Sequence, residues 1–193
     1  MNGIPLEMKI YTRRGDRGQS SILNGEAVYK DDPRLKTYGA LDELQSHLGM
    51  ARSLISHESV PDIIRSVQSD IFTASSELAS TPNALQRLER RIGPEDVTRL
   101  ERWIDEFTET YGLPTHFVAP GESLESAVLH VARSVCRRGE RLIVTLNRQT
   151  GHYDQLITYF NRLGDLIFVL AWAVDVMKVI ERVVEELTRN AVR

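Results

Sequence analysis

The sequence is poor in several features that mark particular classes of protein. It has one cysteine, Cys136, which excludes an intrachain disulfide framework and a multi-cysteine zinc site. Aromatic residues make up only 7% of the chain, so a large stacking surface for nucleic-acid bases is not expected. A net charge of −3 provides no overall basic field for DNA or for an anionic membrane. These absences predict a protein without nucleic-acid or membrane partners.

Long apolar stretches are also missing. The most apolar run, 166–174, has nine residues, whereas a membrane-spanning helix needs about 20. Residues 1–18 carry Arg13, Arg14, Asp16 and Arg17 without an apolar core, so no secretory signal is predicted. Together with the single cysteine, this predicts a cytoplasmic location.

What the sequence does contain is helical periodicity, which dominates from about residue 38 onward. Apolar residues recur every three to four positions, which is typical of amphipathic helices. We found no alternating pattern long enough to predict a strand. A chain of 193 residues, 41% hydrophobic and 26% charged, fits one ordinary globular domain. We therefore predict an all-α, antiparallel five-helix bundle over 38–190, with helices at about 38–57, 63–79, 94–112, 123–150 and 155 to the C-terminal tail.

The first 37 residues are expected to form a loop arm. They contain four of the twelve glycines and two prolines, a density that breaks helices. A short extended piece is predicted around 8–11. The segment 12–21 combines glycines, hydroxyl groups and basic side chains, so it is either a flexible basic arm or a loop whose backbone N–H groups wrap a phosphate chain. It is not a Walker A loop, because Gly-Lys-Ser/Thr occurs nowhere in the chain.

The predicted fourth helix carries three arginines at four-residue spacing, Arg133, Arg137 and Arg141. This spacing puts them on one face together with His130 and Glu140. The opposite, apolar face is predicted to consist of Leu124, Val128, Val131, Val135, Leu142 and Leu146. The arginine face is either a solvated charged surface or an anion clamp, since guanidinium groups match phosphate geometry. Glu140 would pair with an arginine or help to hold a magnesium ion that phosphate oxygens also bind.

Three other residues are weaker candidates on their own. Asp42 lies in the first turns of a predicted helix, where acidic residues usually stabilise the helix dipole. Asn161 lies in an apolar helical stretch and is therefore expected to be buried, either as a structural residue or as a ligand contact. Lys30 has the pattern of an ordinary exposed lysine. No histidine forms a Glu-x-x-His pair, which disfavours a di-iron site of the ferritin-like kind.

Several sequence blocks, in this order, resemble the PduO-type ATP:cob(I)alamin adenosyltransferases. They span about residues 10–171 and read Ile10-Tyr11-Thr12, Gly15-Asp16-Arg17-Gly18, Ser20-Ser21, Gly25-Glu26, Lys30-Asp31-Asp32, Tyr38-Gly39, Asp42-Glu43-Leu44, Phe117, Pro120-Gly121, Ala132 to Arg141, and Phe160-Asn161-Arg162-Leu163-Gly164-Asp165. The resemblance implies a ferritin-like, cobalamin adenosyltransferase-like bundle and a homotrimer with active sites between subunits. It also implies transfer of the 5′-deoxyadenosyl group of ATP to the cobalt of cob(I)alamin, with Mg²⁺ present and triphosphate released. A reductase and an adenosylcobalamin-dependent enzyme would be further partners.

The same resemblance implies roles for individual residues. The triphosphate would be surrounded by Thr12, Gly15, Asp16, Gly18, Ser20 and Lys30, with Arg14 adding charge where the family usually has threonine. Arg137 would be the main phosphate contact, beside Arg141, with Glu140 near the magnesium ion and Asn161 on the nucleotide. Asp42 and Arg133 would form an ion pair at the subunit interface. Phe117 would lie beneath the corrin and displace its lower ligand.

Two other interpretations remain open from the sequence. The first is a non-catalytic carrier of corrinoid or nucleotide on the same bundle. The second is an unrelated helical protein whose arginine face binds an acidic partner. Gly139, Gly164 and Trp172 also depart from the usual family pattern.

Overall fold

The computed structural model describes residues 11, 13–23, 26–57 and 59–191. Two strands, β1 (Gln19–Ser21) and β2 (Ala27–Tyr29), precede six helices: α1 (Pro33–Leu54), α2 (Ser59–Leu78), α3 (Pro82–Leu85), α4 (Pro94–Tyr111), α5 (Leu124–Thr150) and α6 (Asp154–Ala191). Five of these helices are long and correspond to the predicted five, so the all-α bundle is confirmed. The four-residue α3 is an addition. A single domain covering 1–193 stays a prediction.

The arm differs from the prediction in two ways. First, it contains strands: β1 and β2 pair antiparallel, with Gln19 opposite Tyr29. Three-residue strands are too short to produce a periodic pattern, which is why the sequence did not predict them. Second, the arm ends earlier than residue 37, because α1 begins at Pro33. The side chain of Asp32 accepts a hydrogen bond from the backbone N–H of Arg34 at 2.8 Å and caps the helix.

The hairpin is fastened to the bundle. The backbone N–H of Leu23 donates to the carbonyl of Ala79, just beyond the end of α2, at 3.0 Å. Two apolar side chains of this region are buried, Val28 on β2 and Ile22 directly after β1. Part of the predicted arm, including Thr12 and most of the expected extended piece at 8–11, lies outside the described residues.

The long helices form a ring in which most neighbours are antiparallel. Contacts join α1 to α2 and α5, and α6 to α5 and α4. An ion pair between Arg99 and Asp70 joins α4 to α2. An odd number of alternating helices in a ring leaves one neighbouring pair parallel, and here that pair is α4 and α6. Arg162 meets Glu101 and, ten residues further along both helices, Trp172 meets Tyr111.

The buried face of α5 is wider than predicted and is centred elsewhere. Leu124 and Val131, both expected in the apolar stripe, are exposed, so that part of the prediction is wrong. The small residues Ala132, Cys136 and Gly139 are buried instead. The reason is that α5 packs against α1 and α6 at once, and small side chains allow both neighbours to approach.

A group of buried carboxylates accounts for the arginines of the connector before α4. Asp70 and Asp96 are almost completely buried and pair with Arg90 and Arg99. The hydroxyl of Tyr159 donates to Asp70 at 2.8 Å. Burial and the neighbouring Asp70 carboxylate raise the pKa of Tyr159 well above its usual value. These charges neutralise one another, so the cluster is part of the framework.

A second buried carboxylate, Glu77, has a similar structural role. It pairs with Arg91 at 3.1 Å and accepts a hydrogen bond from the backbone N–H of Ile92 at 2.6 Å.

Among the described helices, none combines the length and the apolar character that crossing a membrane requires.

Candidate active site

The glycine-rich part of the arm forms a tight turn over residues 13–18. The N–H groups of Asp16 and Gly18 donate to the carbonyls of Arg13 and Gly15 at 3.3 and 3.2 Å. Gly18 has φ of +78°, a conformation that glycine adopts without strain. The backbone N–H of Lys30 donates to the carbonyl of Gly18 at 2.9 Å. The side chain of Lys30 passes close to Gly15, since a Cβ added at Gly15 would lie 3.2 Å from the Nζ of Lys30. The predicted loop residues and Lys30 are therefore brought together.

The turn concentrates positive charge without internal neutralisation. Arg13, Arg14, Arg17 and Lys30 are exposed. In the part of the chain that the structure describes, no carboxylate lies within ion-pair distance of any of them. The hydroxyl-bearing Ser20 lies on β1 next to the turn. Unpaired cations gathered around a glycine-containing turn form a suitable site for a polyphosphate.

The arginine face of α5 is a second unneutralised cluster. Arg137 and Arg141 are exposed, and the described residues offer neither of them an ion-pair partner. The adjacent Arg138 differs, because its guanidinium pairs with Glu43 of α1. The stem of Arg137 lies across α6, where a Cβ at Gly164 would be 3.8 Å from its Cγ. The exposed, unpaired guanidinium groups on this face are consistent with an anion clamp.

Arg133 lies one turn earlier on α5 and is half-buried. Its guanidinium carbon lies 5.3 Å from the centre of the Phe168 ring. Its Nε is buried and has no hydrogen-bond partner among the described residues. Asp42, the predicted partner, is exposed on α1, and the described chain contains no ion pair between the two. An ion pair within one chain is therefore not formed, and the interfacial pair stays a prediction.

Glu140 and Asn161 meet beside Arg137. The amide Nδ2 of Asn161 donates to Oε1 of Glu140 at 3.2 Å. Asn161 is exposed, so the expectation that it would be buried is wrong, because the surrounding apolar residues lie on the other faces of α6. The described residues contain no group of three metal-ligating side chains. Glu140 suits Mg²⁺ as a single carboxylate ligand, provided that phosphate oxygens supply the rest.

Phe117 lies on the loop 112–123 between α4 and α5 and is 93% exposed. A groove of about 570 Å³ runs between this loop and the C-terminal half of α6. Trp172 closes one side of it and donates from Nε1 to the carbonyl of Tyr111 at 3.3 Å. Val176 and Ile180 contribute an apolar wall. A large exposed aromatic side chain at an apolar groove is typical of a ligand-binding surface.

Cys136 can be excluded as a nucleophile. It is fully buried, and its Sγ contacts the carbonyl of Phe160. Burial, together with Glu140, raises the pKa of the thiol far above its ordinary value. The thiol is therefore inert at neutral pH.

The described chain holds the candidate residues in separate places. One surface combines the α5 arginines with Glu140 and Asn161, and the Phe117 groove lies nearer the N-terminal end of α5. The arm lies beside the start of α1 and the end of α2, and no hydrogen bond or ion pair of the described residues connects it to the arginine face. The groove around Trp172 was not predicted, because its residues are far apart in the sequence.

The fold and these surfaces define a class of helical-bundle protein that presents cationic groups for a polyphosphate and an apolar groove for a second ligand. The chain belongs to the cobalamin adenosyltransferase family, whose model matches residues 10–174.

Related proteins and solved structures agree with this assignment. A corrinoid adenosyltransferase from Citrobacter freundii is 39% identical over 163 residues, which cover 84% of this chain and 93% of the relative. The human corrinoid adenosyltransferase is 36% identical over 175 residues, covering 86% of this chain and 69% of the human protein. A variant PduO-type ATP:corrinoid adenosyltransferase from Lactobacillus reuteri, complexed with cobalamin and ATP, has a TM-score of 0.81. That structure is 32% identical and covers 88% of this chain and 95% of its own.

Proposed function

We propose that this protein transfers the 5′-deoxyadenosyl group of ATP to the cobalt of cob(I)alamin. The cobalt attacks C5′ of ATP, the C5′–O bond breaks, and the leaving triphosphate takes the bonding electron pair. Adenosylcobalamin and triphosphate are the products. The family membership supports this activity, as does the Lactobacillus reuteri structure with both substrates.

The observation that carries the proposal is the difference between two sets of arginines. Arg90 and Arg99 neutralise buried carboxylates, whereas Arg137 and Arg141 have no such partner in the described residues. Exposed guanidinium groups held on one helix face would stabilise the negative charge that develops on the departing triphosphate. The cobalt is itself the nucleophile, so the inert Cys136 is consistent with the reaction.

The residues of this chain would position the substrates and neutralise charge. The arm turn and Lys30 would surround the triphosphate, together with Thr12 and Arg14. Glu140 would hold the magnesium ion that accompanies ATP, and its hydrogen bond from Asn161 would orient the carboxylate. Phe117 would lie against the lower face of the corrin and displace its lower ligand.

We further propose a homotrimer in which each active site lies between two subunits. The support is the separation of the arm from the arginine face within one chain. Asp42 is exposed, and neither Asp42 nor Arg133 has an ion-pair partner among the described residues, so the two are available to pair across an interface. A reductase, an adenosylcobalamin-dependent enzyme and a cytoplasmic location remain predictions from the sequence.

Replacing Arg137 tests the activity and the phosphate clamp together. We expect Arg137→Ala to lower turnover of pre-reduced cob(I)alamin with ATP by at least about 100-fold, since a transition-state contact to developing charge is lost. Formation of adenosylcobalamin is followed by absorbance, with triphosphate identified as co-product. Arg148→Ala is the matched control, because Arg148 is exposed on the same face about three turns further along α5.

Three outcomes distinguish the interpretations. Loss of turnover in Arg137→Ala, with turnover kept in Arg148→Ala, supports the proposal. Wild-type rates for Arg137→Ala would overturn the clamp. Tight binding of both ligands by the unaltered protein without any turnover would instead identify a non-catalytic carrier.

A further inference from the structure

A second, smaller cavity lies behind Phe117. It has a volume of about 350 Å³, is open to solvent on one side, and lies between the loop 112–123, α5 and α6. Its lining is mostly apolar, from Leu113, Pro114, Val118, Pro120 and Phe168, with His116, His130 and Arg133 as the polar members. The sequence indicated only that His130 shares the arginine face, and the proposed function gives it no role.

His130 is a buried polar side chain without a partner. It is 9% exposed, and its Nε2 is closed off from solvent and has no hydrogen bond to any described residue. The ring stands edge-on to Phe168, with centroids 6.2 Å apart. Arg133 lies one turn away over the same aromatic ring, and its Nε is likewise unsatisfied. Buried polar atoms are almost always paired, so two unpaired atoms on side chains that line one cavity point to a partner that the described residues do not supply.

The charges around His130 determine what that group is. Burial lowers the pKa of His130, and Arg133 on α5 acts in the same direction, against Asp175 on α6. The imidazole is therefore neutral at pH 7, with one nitrogen that accepts a hydrogen bond. The Nε–H of Arg133 donates. A primary carboxamide matches both groups at once, because its oxygen accepts from the Nε–H of Arg133 and its NH₂ group donates to the unprotonated imidazole nitrogen.

The position of the cavity selects between the two substrates. His130 lies seven residues before Arg137, which is about 10 Å along α5, so the cavity is remote from the phosphate clamp. Phe117 lines it and also lines the larger groove. The corrin ring carries peripheral carboxamide arms, whereas ATP carries none.

We propose that this cavity receives one peripheral carboxamide arm of the corrinoid, with Arg133 donating to its oxygen and His130 accepting from its nitrogen. The inference rests on the proposed function and adds a determinant of corrinoid specificity. Arg133 has five N–H groups, so an interfacial Asp42 on its Nη atoms leaves Nε for the arm.

Equilibrium binding tests this without relying on turnover. Cob(II)alamin is titrated into the ATP-loaded protein and binding is followed by absorbance. We expect His130→Leu to weaken corrinoid binding about tenfold and to leave ATP binding within about twofold, because the contact is to the corrinoid only. His130→Gln keeps an amide that can pair with the arm and should stay within about threefold of the unaltered protein. His57→Leu, at an exposed histidine outside the cavity, is the control.

Altered corrinoids give a second, independent measurement. In corrinoids with one peripheral amide hydrolysed to a carboxylate, one positional isomer should bind the unaltered protein at least about fivefold more weakly than the others. His130→Leu should abolish this preference. If His130→Leu fails to fold, the isomer series and His130→Gln still decide the matter.

A failure of the carboxamide assignment and a failure of the proposed function would give different results. Equal affinity of His130→Leu and the unaltered protein for cob(II)alamin, or no preference among the isomers, would overturn the carboxamide assignment while the proposed function stands. An unaltered protein that neither binds nor adenosylates a corrinoid would overturn the proposed function itself.

Discussion

Residues of one type have opposite roles in this protein, and their surroundings decide which. Arg99 contacts two buried carboxylates, Asp70 and Asp96, and its guanidinium belongs to the framework. Burial lowers the pKa of Arg99, but the hydrogen bonds and negative charges of the two carboxylates together raise it by more. The pKa of Arg99 is therefore raised. Arg137 is exposed and has no counter-ion in the described chain. A counter-ion inside the fold satisfies the charge, whereas its absence leaves the charge available for a substrate.

His130 provides a prediction at the scale of one residue. Its folded-state pKa is lowered by burial, so below about pH 6.5 the unfolded state binds a proton that the folded state does not. The free energy of unfolding therefore falls as the pH drops through this range. His130→Gln has no titrating group at this position and does not lose this free energy. The free energy of unfolding of the variant, relative to that of the unaltered protein, should therefore increase from pH 7.5 to 5.5. Urea unfolding at fixed protein concentration measures the difference.

The opposite trend would have a clear meaning. If the unaltered protein gained relative stability on acidification, the folded state would hold a protonated His130, with Asp175 on α6 as its counter-ion. That result would contradict the neutral imidazole on which the carboxamide contact depends.

At the scale of the element, α5 shows how close packing and substrate binding share one helix. One side buries small residues against α1 and α6, and the other presents arginines. Gly139 belongs to the packed side, where a Cβ would lie 3.0 Å from Cδ2 of Leu41. In the sequence, this glycine is one of the departures from the usual family pattern. The structure shows that its missing side chain allows α1 to pack close to α5.

The net effect of a side chain at position 139 on stability can be measured. Glycine to alanine within a helix gains about 1 kcal/mol from propensity, but at this position the flexible tip of Leu41 must shift slightly. We expect Gly139→Ala to raise the melting temperature by less than the about 2–4 °C that a full 1 kcal/mol provides in a chain of this length. Gly49→Ala is the control, since its Cβ would have only an ordinary contact, 3.6 Å from Gln68. A lower melting temperature for Gly139→Ala would show that the close approach is essential.

At the scale of the whole molecule, the ring of helices separates two halves of the proposed site. The arm is fastened to the end of α2, whereas the arginine face is formed by α5 and α6. A site that needs both would be completed by a second copy of the chain in a head-to-tail arrangement, which closes into a ring.

Mixed oligomers test this arrangement. Lys30→Ala removes the arm contribution and Arg137→Ala removes the α5 contribution, so each variant alone should be nearly inactive. Co-expressed and isolated as mixed trimers, they should recover about one third of the wild-type activity, because one of the three sites in every mixed ring combines two intact halves. Adenosylcobalamin formation by doubly tagged oligomers provides the measurement. Lys30→Ala mixed with the double variant is the negative control, and no recovery in verified mixed oligomers would place each site within one chain.

Much of the architecture followed from the sequence because it depends on local periodicity. Apolar residues at helical spacing are buried in the two helices predicted at 38–57 and 63–79, from Leu41 to Ala51 in α1 and from Ile63 to Leu78 in α2. The clustering of the arginines on α5 also followed from helical spacing, and so did the family resemblance that named the candidate residues. The hairpin did not, since pairing between strands of three residues leaves no pattern in a single segment.

The amino-acid sequence by itself determined the helices, the arginine face and the family, because each depends on residues that lie close together along the chain. Only the tertiary structure decided which arginines are free, which face of α5 is buried, and where His130 lies. These properties depend on what other elements bring into contact. Asp70 reaches Arg99 from another helix, and Phe117 reaches the cavity beside His130 from a loop that precedes α5. Periodicity carries no information on such contacts, whereas burial and charge pairing do.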